Sequence, residues 1–405
     1  MTPIAIKKLI VNKNMKHYNF DEVIERHGTS CVKFDRLKEM FGDENLIPLW
    51  VADMDFRTPD FIVEALKKRC EHEIFGYTFG SDEYYESIIN WVHYKHNWKI
   101  QREWISYIPG IVKGIAFAIQ CFTQKGDKIM VMPPVYHPFF LVTQKNEREV
   151  VFSPLVLKDE QYYIDFNRFR QDIQGCKLLI LSNPHNPGGR VWTKEELSQI
   201  ADICYESGTL VISDEIHADL TLPPYKHPTF ALISEKARMN SLVFMSPSKA
   251  FNMPGLASSY AIIENDELRH RFQTYMEASE FSEGHLFAYL SVAAAYSHGT
   301  EWLDQVVAYI KGNVDFTETY LKEHIPAIKM ICPQASYLIF LDCRALGLNQ
   351  EELNRLFVED AHLALNDGTT FGKEGEGFMR LNVACPRATL EKALKQLEQA
   401  VMDLK

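Results

Sequence analysis

Strand-like apolar runs recur through the middle of the chain, and helical patterns separate several of them. KIMVM (128–132), KLLILS (177–182), LVISD (210–214) and SLVFM (241–245) are nearly continuous in apolar residues, as expected of strands buried on both faces of a parallel sheet. Ahead of them, WISYIPGIVKGIAFAIQCF from Trp104 reads as strand, glycine turn and helix. Helical spacing is present in Ile62, Ala65 and Leu66 after Pro59, and in Tyr85, Ile88, Ile89, Val92 and His96. Thr193 and Glu196 form a capping box, with Leu197, Ile200, Ala201 and Cys204 following on one face. Strands alternating with helices in this way predict an α/β sheet with right-handed crossovers.

The pattern changes after residue 290. Helical stretches there alternate with short strand-like segments, SYLIFLD (336–342) and GEGFMRLNVA (375–384). A final amphipathic helix is predicted from Thr389, with Leu390, Ala393, Leu394, Leu397 and Val401 as its stripe. The prediction is a large α/β domain over 46–290, and a smaller α+β domain built from 1–45 and 291–405.

Composition narrows the class without changing that picture. The 405 residues are 46% hydrophobic and 24% charged, which suits a globular chain with a large core. A formal net charge of −11 disfavours nucleic acid and anionic membrane surfaces as partners, since both select basic patches. MTPIAIKKLIVNKN lacks the apolar core and small-residue cleavage site of a signal peptide, and no run is long enough to span a bilayer. The eight cysteines are scattered, with no CxxC pair, and read as reduced thiols of a cytoplasmic protein.

Ligands bind at the carboxyl ends of the strands in sheets of this kind, and the unusual residues follow the apolar runs. Tyr136 comes after one, Asn183-Pro184-His185-Asn186-Pro187-Gly188-Gly189 after another, Asp214 to His217 close a third, and Ser246-Pro247-Ser248-Lys249 follow the fourth. Lys249, at the mouth of a buried strand, offers an amine able to form an imine, although a lone lysine is more often a solvated surface group. Asp214 is an anion at the end of a buried strand and requires a cationic partner. Tyr136 offers an aromatic face, and Asn186 and His217 offer hydrogen bonds. Gly110 with the amides after it, together with Ser246 and Ser248, offers phosphate contacts. The glycine turn alone is an ordinary strand-to-helix connection, lacking GxGxxG. A heteroaromatic cofactor with a protonatable nitrogen, an aldehyde and a phosphate fits the whole set, and pyridoxal 5′-phosphate is such a cofactor.

Three further stretches carry weaker signals. Tyr77, between Gly76 and Gly80, is a candidate tip for reaching a ligand, or else a packing aromatic. Asp53 and Asp55 in WVADMDF are candidate metal ligands, but no third ligand follows at useful spacing and a structured loop is preferred. His285 reads as structural.

SNPHNPGG, SDEIH and SPSKAFN, in that order, resemble the class I/II aminotransferase superfamily of fold-type I pyridoxal phosphate enzymes. WVADMDF, FGYT, PPVYHPF, NPHNPGG, DEIHADL, LALNDGTTFG and GFMRLN resemble its bacterial cystathionine β-lyase and cysteine C–S lyase branch, over nearly the whole chain from Asn19. The resemblance implies a mostly parallel central sheet flanked by helices, and a homodimer with active sites at its interface. It implies Lys249 as the Schiff-base lysine, Asp214 as partner of the ring nitrogen, and Asn186 and His217 near the phenolic oxygen. Tyr136 would stack on the ring. Ser246, Ser248 and the amides of Ile111 and Val112 would hold the phosphate, with Tyr77 reaching it from the other subunit. Arg380 would clamp the α-carboxylate of an amino-acid substrate, near Asn186 and Tyr136.

The implied reaction is β-elimination from an L-cysteine thioether, releasing a thiol, pyruvate and ammonia, with Lys249 taking the Cα proton. Transamination between an amino acid and a 2-oxo acid is the alternative, because it begins with the same proton removal. One departure bears on the choice. Many aminotransferases carry Gly-Leu-Arg after the lysine, with the arginine on the phosphate, whereas Gly255-Leu256-Ala257 stands here. The missing cation fits the lyase branch and leaves phosphate charge less neutralised.

Overall fold

The computed structural model describes residues 16–404. The leading stretch read above for a signal peptide therefore lies outside the described residues. One sheet has seven strands, in the spatial order Ile105–Ile108, Ser259–Ile262, Ser241–Met245, Leu210–Asp214, Cys176–Ser182, Lys128–Val131, Glu149–Phe152. Ser259–Ile262 runs antiparallel to both neighbours, and every other pairing is parallel. The four apolar runs thus become adjacent central strands. Ser259–Ile262 and Glu149–Phe152 are strands that the sequence pattern did not mark.

Side-chain alternation along these strands divides the core between two faces. Leu178, Ile180, Leu210 and Ile212 pack on the face covered by Ile111, Ile115 and Ile119 of helix Ile111–Phe122. Leu179, Leu181 and Val211 pack on the opposite face with Leu197, Ile200 and Cys204 of helix Lys194–Glu206. Both halves of the predicted capping box form: Glu196 N–H donates to Thr193 Oγ1 at 3.1 Å, and Thr193 N–H donates to Glu196 at 2.7 Å. Burial on both faces explains why the runs are continuous rather than alternating.

A second sheet, antiparallel throughout, is ordered Lys329–Ile331, Leu338–Asp342, Phe378–Asn382, Asn366–Asp367. The final helix, Arg387–Met402, begins just ahead of the predicted Thr389 and buries Leu390, Ala393, Leu394 and Leu397. Ile47–Pro48 pairs in parallel with Leu363–Ala364, tying the early chain to the late one.

Beyond that pairing, the loop carrying Asp53 and Asp55 is fixed by buried charge. Arg26 donates to Asp53 at 2.7 Å and to Asp55 at 2.6 Å, while fully buried Lys33 reaches Asp55 at 2.7 Å. Both carboxylates are therefore occupied by cations, in keeping with a structured loop. Removing one member of such a cluster leaves an uncompensated buried charge, at a cost of about 3–5 kcal/mol, so the loop has little freedom. Asn382 Nδ2 also donates to the Val51 and Asp53 carbonyls, at 2.7 and 2.6 Å, on either side of Ala52. Among the described residues no helix is long and apolar enough to cross a membrane, and all eight cysteines are free thiols.

Candidate active site

The carboxyl ends of the parallel strands surround a cavity of about 390 Å³. Gly110, Tyr136, Asn186, Asp214, His217 and Lys249 all contribute to its wall. They follow or close five different strands, Asp214 and His217 sharing one, which brings together residues more than a hundred positions apart. Gly110 has φ +130°, a conformation that L side chains rarely adopt. That turn starts helix Ile111–Phe122 at the cavity, where the first-turn N–H groups of Ile111 and Val112 have no partner within the helix.

Burial dominates the electrostatics. Asp214 accepts the Ile216 N–H at 3.0 Å and has no cationic partner in ion-pair contact among the described residues. Removal from water pushes its carboxyl up to about 7, against the opposing pull of the Ile216 N–H and Lys249. Burial likewise lowers the Lys249 ammonium to about 8, with Asp53 and Asp214 resisting and Arg380 reinforcing the fall. His217 is held neutral, its value lowered to about 3 by burial and by the nearby Lys249 and Arg380 charges. Its Nδ1 is buried without a partner.

Arg380 is bonded to Asn186 but is not among the residues lining the cavity. It is 4% exposed, yet every oxygen it touches is neutral. Nη1 donates to Asn186 Oδ1 at 3.3 Å, and Nη2 donates to the Trp50 carbonyl at 2.9 Å and to Asn366 Oδ1 at 2.6 Å. Nε has no partner. A buried guanidinium without an anion is costly, and a carboxylate is the group its fork matches.

Other expected residues occupy different positions. Ser248 lines the cavity, but Ser246 does not. Ser246 instead caps the short helix Pro247–Ala250, with its Oγ 2.9 Å from Ser248 Oγ and 3.3 Å from the Ser258 carbonyl. Its contact with a bound group would run through Ser248. Tyr77 is fully solvent-exposed and does not line the cavity of its own chain. His285 caps helix Leu286–His298, a structural role.

Several residues around the site carried no usable signal. The Ala52 carbonyl accepts Lys249 Nζ and also the Tyr337 hydroxyl at 3.0 Å. Backbone acceptors of this kind have no side-chain signature. Asn366 and Trp50 stood inside quoted motifs without a role, and Ser258 and Lys113 line the cavity unannounced.

The residues 44–397 match the model of the family described as aminotransferase class I and II. Cystathionine beta-lyase PatB of Bacillus subtilis is 42% identical over 95% of this chain and 100% of its own length. Cystalysin from Treponema denticola, whose crystal structure contains a pyridoxal 5′-phosphate cofactor, superposes with a TM-score of 0.93 at 33% identity, over 96% of this chain and 100% of that one. The pyridoxal phosphate-bound C–S lyase of Staphylococcus hominis gives 0.88 at 32% identity, over 95% and 98%. With a sheet, a cavity and a motif order that agree with these likenesses, the chain belongs to the aminotransferase class I and II family.

Proposed function

We propose that this protein is a pyridoxal phosphate-dependent carbon–sulfur lyase acting on L-cysteine thioethers. The observation that carries the reading is a half-buried amine, Lys249, and a buried carboxyl, Asp214, facing one cavity beside a glycine-turned helix start. The residues present fit the cofactor. Asp214 is a buried carboxyl awaiting a cation, and Ser258 Oγ is a buried hydroxyl without a partner on the same wall. The relatives' activity supports elimination over transamination, as does Ala257 at the position where many aminotransferases have arginine.

When bound, pyridoxal phosphate supplies an electron sink for charge left at the substrate's Cα. Asp214 would hold the ring-nitrogen proton, and Tyr136 would cover the ring face. Asn186 Oδ1 steadies Arg380, leaving its amide N–H₂ for the cofactor's phenolic oxygen, with His217 close by. Arg380 would fix the substrate carboxylate by its bidentate fork and so orient the Cα–H bond. Lys249 Nζ takes the Cα proton, and its lowered pKa leaves a usable neutral fraction near pH 8. The Cβ–S bond then breaks with its electron pair leaving on sulfur, which gains a proton as thiol. Released 2-aminoacrylate reacts with water to give pyruvate and ammonia.

Purified holoenzyme given L-cystathionine without a keto acid is expected to release pyruvate through many turnovers. At most one equivalent, with turnover restored by a keto acid, would instead establish an aminotransferase.

A homodimer is part of this proposal. Ile74, Phe75, Tyr77 and Phe79 form an exposed apolar stretch, the kind of patch that marks a protein interface, and Tyr77 would reach the partner's phosphate site from it. Sedimentation at the mass of a single 46.8 kDa chain would remove this part. The proposed domains, 46–290 and the pair 1–45 with 291–405, follow the two sheets. A cytoplasmic location is proposed from the free cysteines.

A further inference from the structure

One wall of the cavity is lined by Gly110 and the first turn of helix Ile111–Phe122, together with Ser248, Ala257 and Ser258. These groups carry little positive charge. A helix start contributes roughly half an elementary charge, serine hydroxyls are neutral, and Ala257 presents a methyl group. A phosphate monoester carries about two negative charges at neutral pH. An anion held by these groups alone would be under-neutralised.

Lys113 is the third residue of the same helix and also lines the cavity. Helical side chains tend to lean back toward the N-terminus of their helix, which puts an ammonium at this position within reach of an anion held by the free N–H groups of Ile111 and Val112. Among the described residues, Lys113 forms no ion pair and no side-chain hydrogen bond, whereas Lys249, the other cation on the wall, is engaged by the Ala52 carbonyl. Independently, the Ser258 hydroxyl is 1% exposed and lacks any partner on this wall. That hydroxyl is a buried donor suited to an anion.

We infer that Lys113 provides the phosphate counter-charge that Ala257 does not, so that the cation reaches the phosphate from the helix side of the cavity. The inference rests on the pyridoxal phosphate reading. Lys113 is exposed to solvent, and its attraction is partly screened. It therefore acts as a binding residue for the phosphate and takes no part in proton transfer.

The test compares dissociation constants of pyridoxal phosphate and of pyridoxal, which lacks the phosphate, for the apoprotein and its Lys113→Met and Lys113→Arg variants. Lys113→Met is expected to weaken pyridoxal phosphate binding roughly five- to tenfold. Pyridoxal binding should not change. Lys113→Arg should restore most of the loss, and the salt dependence of pyridoxal phosphate binding should flatten in the methionine variant. An equal loss for both ligands, or no loss for either, overturns the inference while leaving the cofactor reading intact. Failure of the wild-type apoprotein to form any borohydride-fixed adduct at Lys249 overturns the cofactor reading, and this inference with it.

Discussion

The Lys249→Ala variant is expected to form no borohydride-fixed adduct and to lose pyruvate release by at least about 10⁴-fold, the upper range for one general acid–base group. On the proposed reading, two functions would disappear with the same nitrogen: the covalent attachment of the cofactor and the base that takes the Cα proton. Neighbouring groups are poor substitutes. His217 is held neutral near pH 7 and has an unpartnered Nδ1, but burial and the neighbouring Arg380 charge hold its pKa so low that it is a weak base. The Tyr337 hydroxyl is occupied by the Ala52 carbonyl, and burial raises it far above neutral pH. The structural control has a defined sign. Lys249 is a cation whose charge is disfavoured by burial, so cofactor-free Lys249→Ala protein should melt no lower than cofactor-free wild type near pH 7. Persistence of the adduct in this variant would show that another lysine carries the cofactor.

Asp214→Asn is expected to separate activity from stability. Activity should fall by about 10³-fold, the scale for losing one preorganised electrostatic group in a buried site, because an amide cannot hold the ring nitrogen protonated. Stability of the cofactor-free protein should move the other way. The folded carboxyl titrates at about 7, against an ordinary value of 3.8. A raised folded value means that the protonated acid is favoured in the fold. The wild-type protein therefore loses stability as pH rises from about 4 to about 7, and the full penalty applies above that window. The variant lacks this slope, and its advantage at pH 8 over that at pH 4 has an upper bound of about 4 kcal/mol. Urea unfolding of both proteins at pH 4 and pH 8 measures the difference. Parallel pH dependences would mean that Asp214 is not an uncompensated acid in the cofactor-free fold. Pyridoxal phosphate should close the gap, since its ring nitrogen supplies the missing cation.

These two residues were legible before any coordinates because each sits at the end of an apolar run. A strand buried on both faces must be continuous in apolar residues, and a charged group directly after it must stand at the carboxyl edge of the sheet. The same logic located Tyr136 and Asn186. It was less reliable for Ser246, since adjacency in sequence did not say which of two serines faces the cavity. Ser248 does, and Ser246 caps the helix beneath it.

The sequence by itself determined the alternation of strands and helices, the order of the motifs and the identity of the rim residues at strand ends. Those properties depend on local periodicity and on neighbours along the chain. Only the tertiary structure decided what surrounds them. Arg380 takes its acceptors from Trp50, Asn186 and Asn366, three segments joined only by folding. Lys249 rests on the Ala52 carbonyl, in a loop pinned by Lys33 and Arg26. Lys113 shares a wall with Ala257 because the strands bearing their segments, Ile105–Ile108 and Ser259–Ile262, are paired. Backbone acceptors and long-range pairings leave no periodic trace, so chain order could not reveal them.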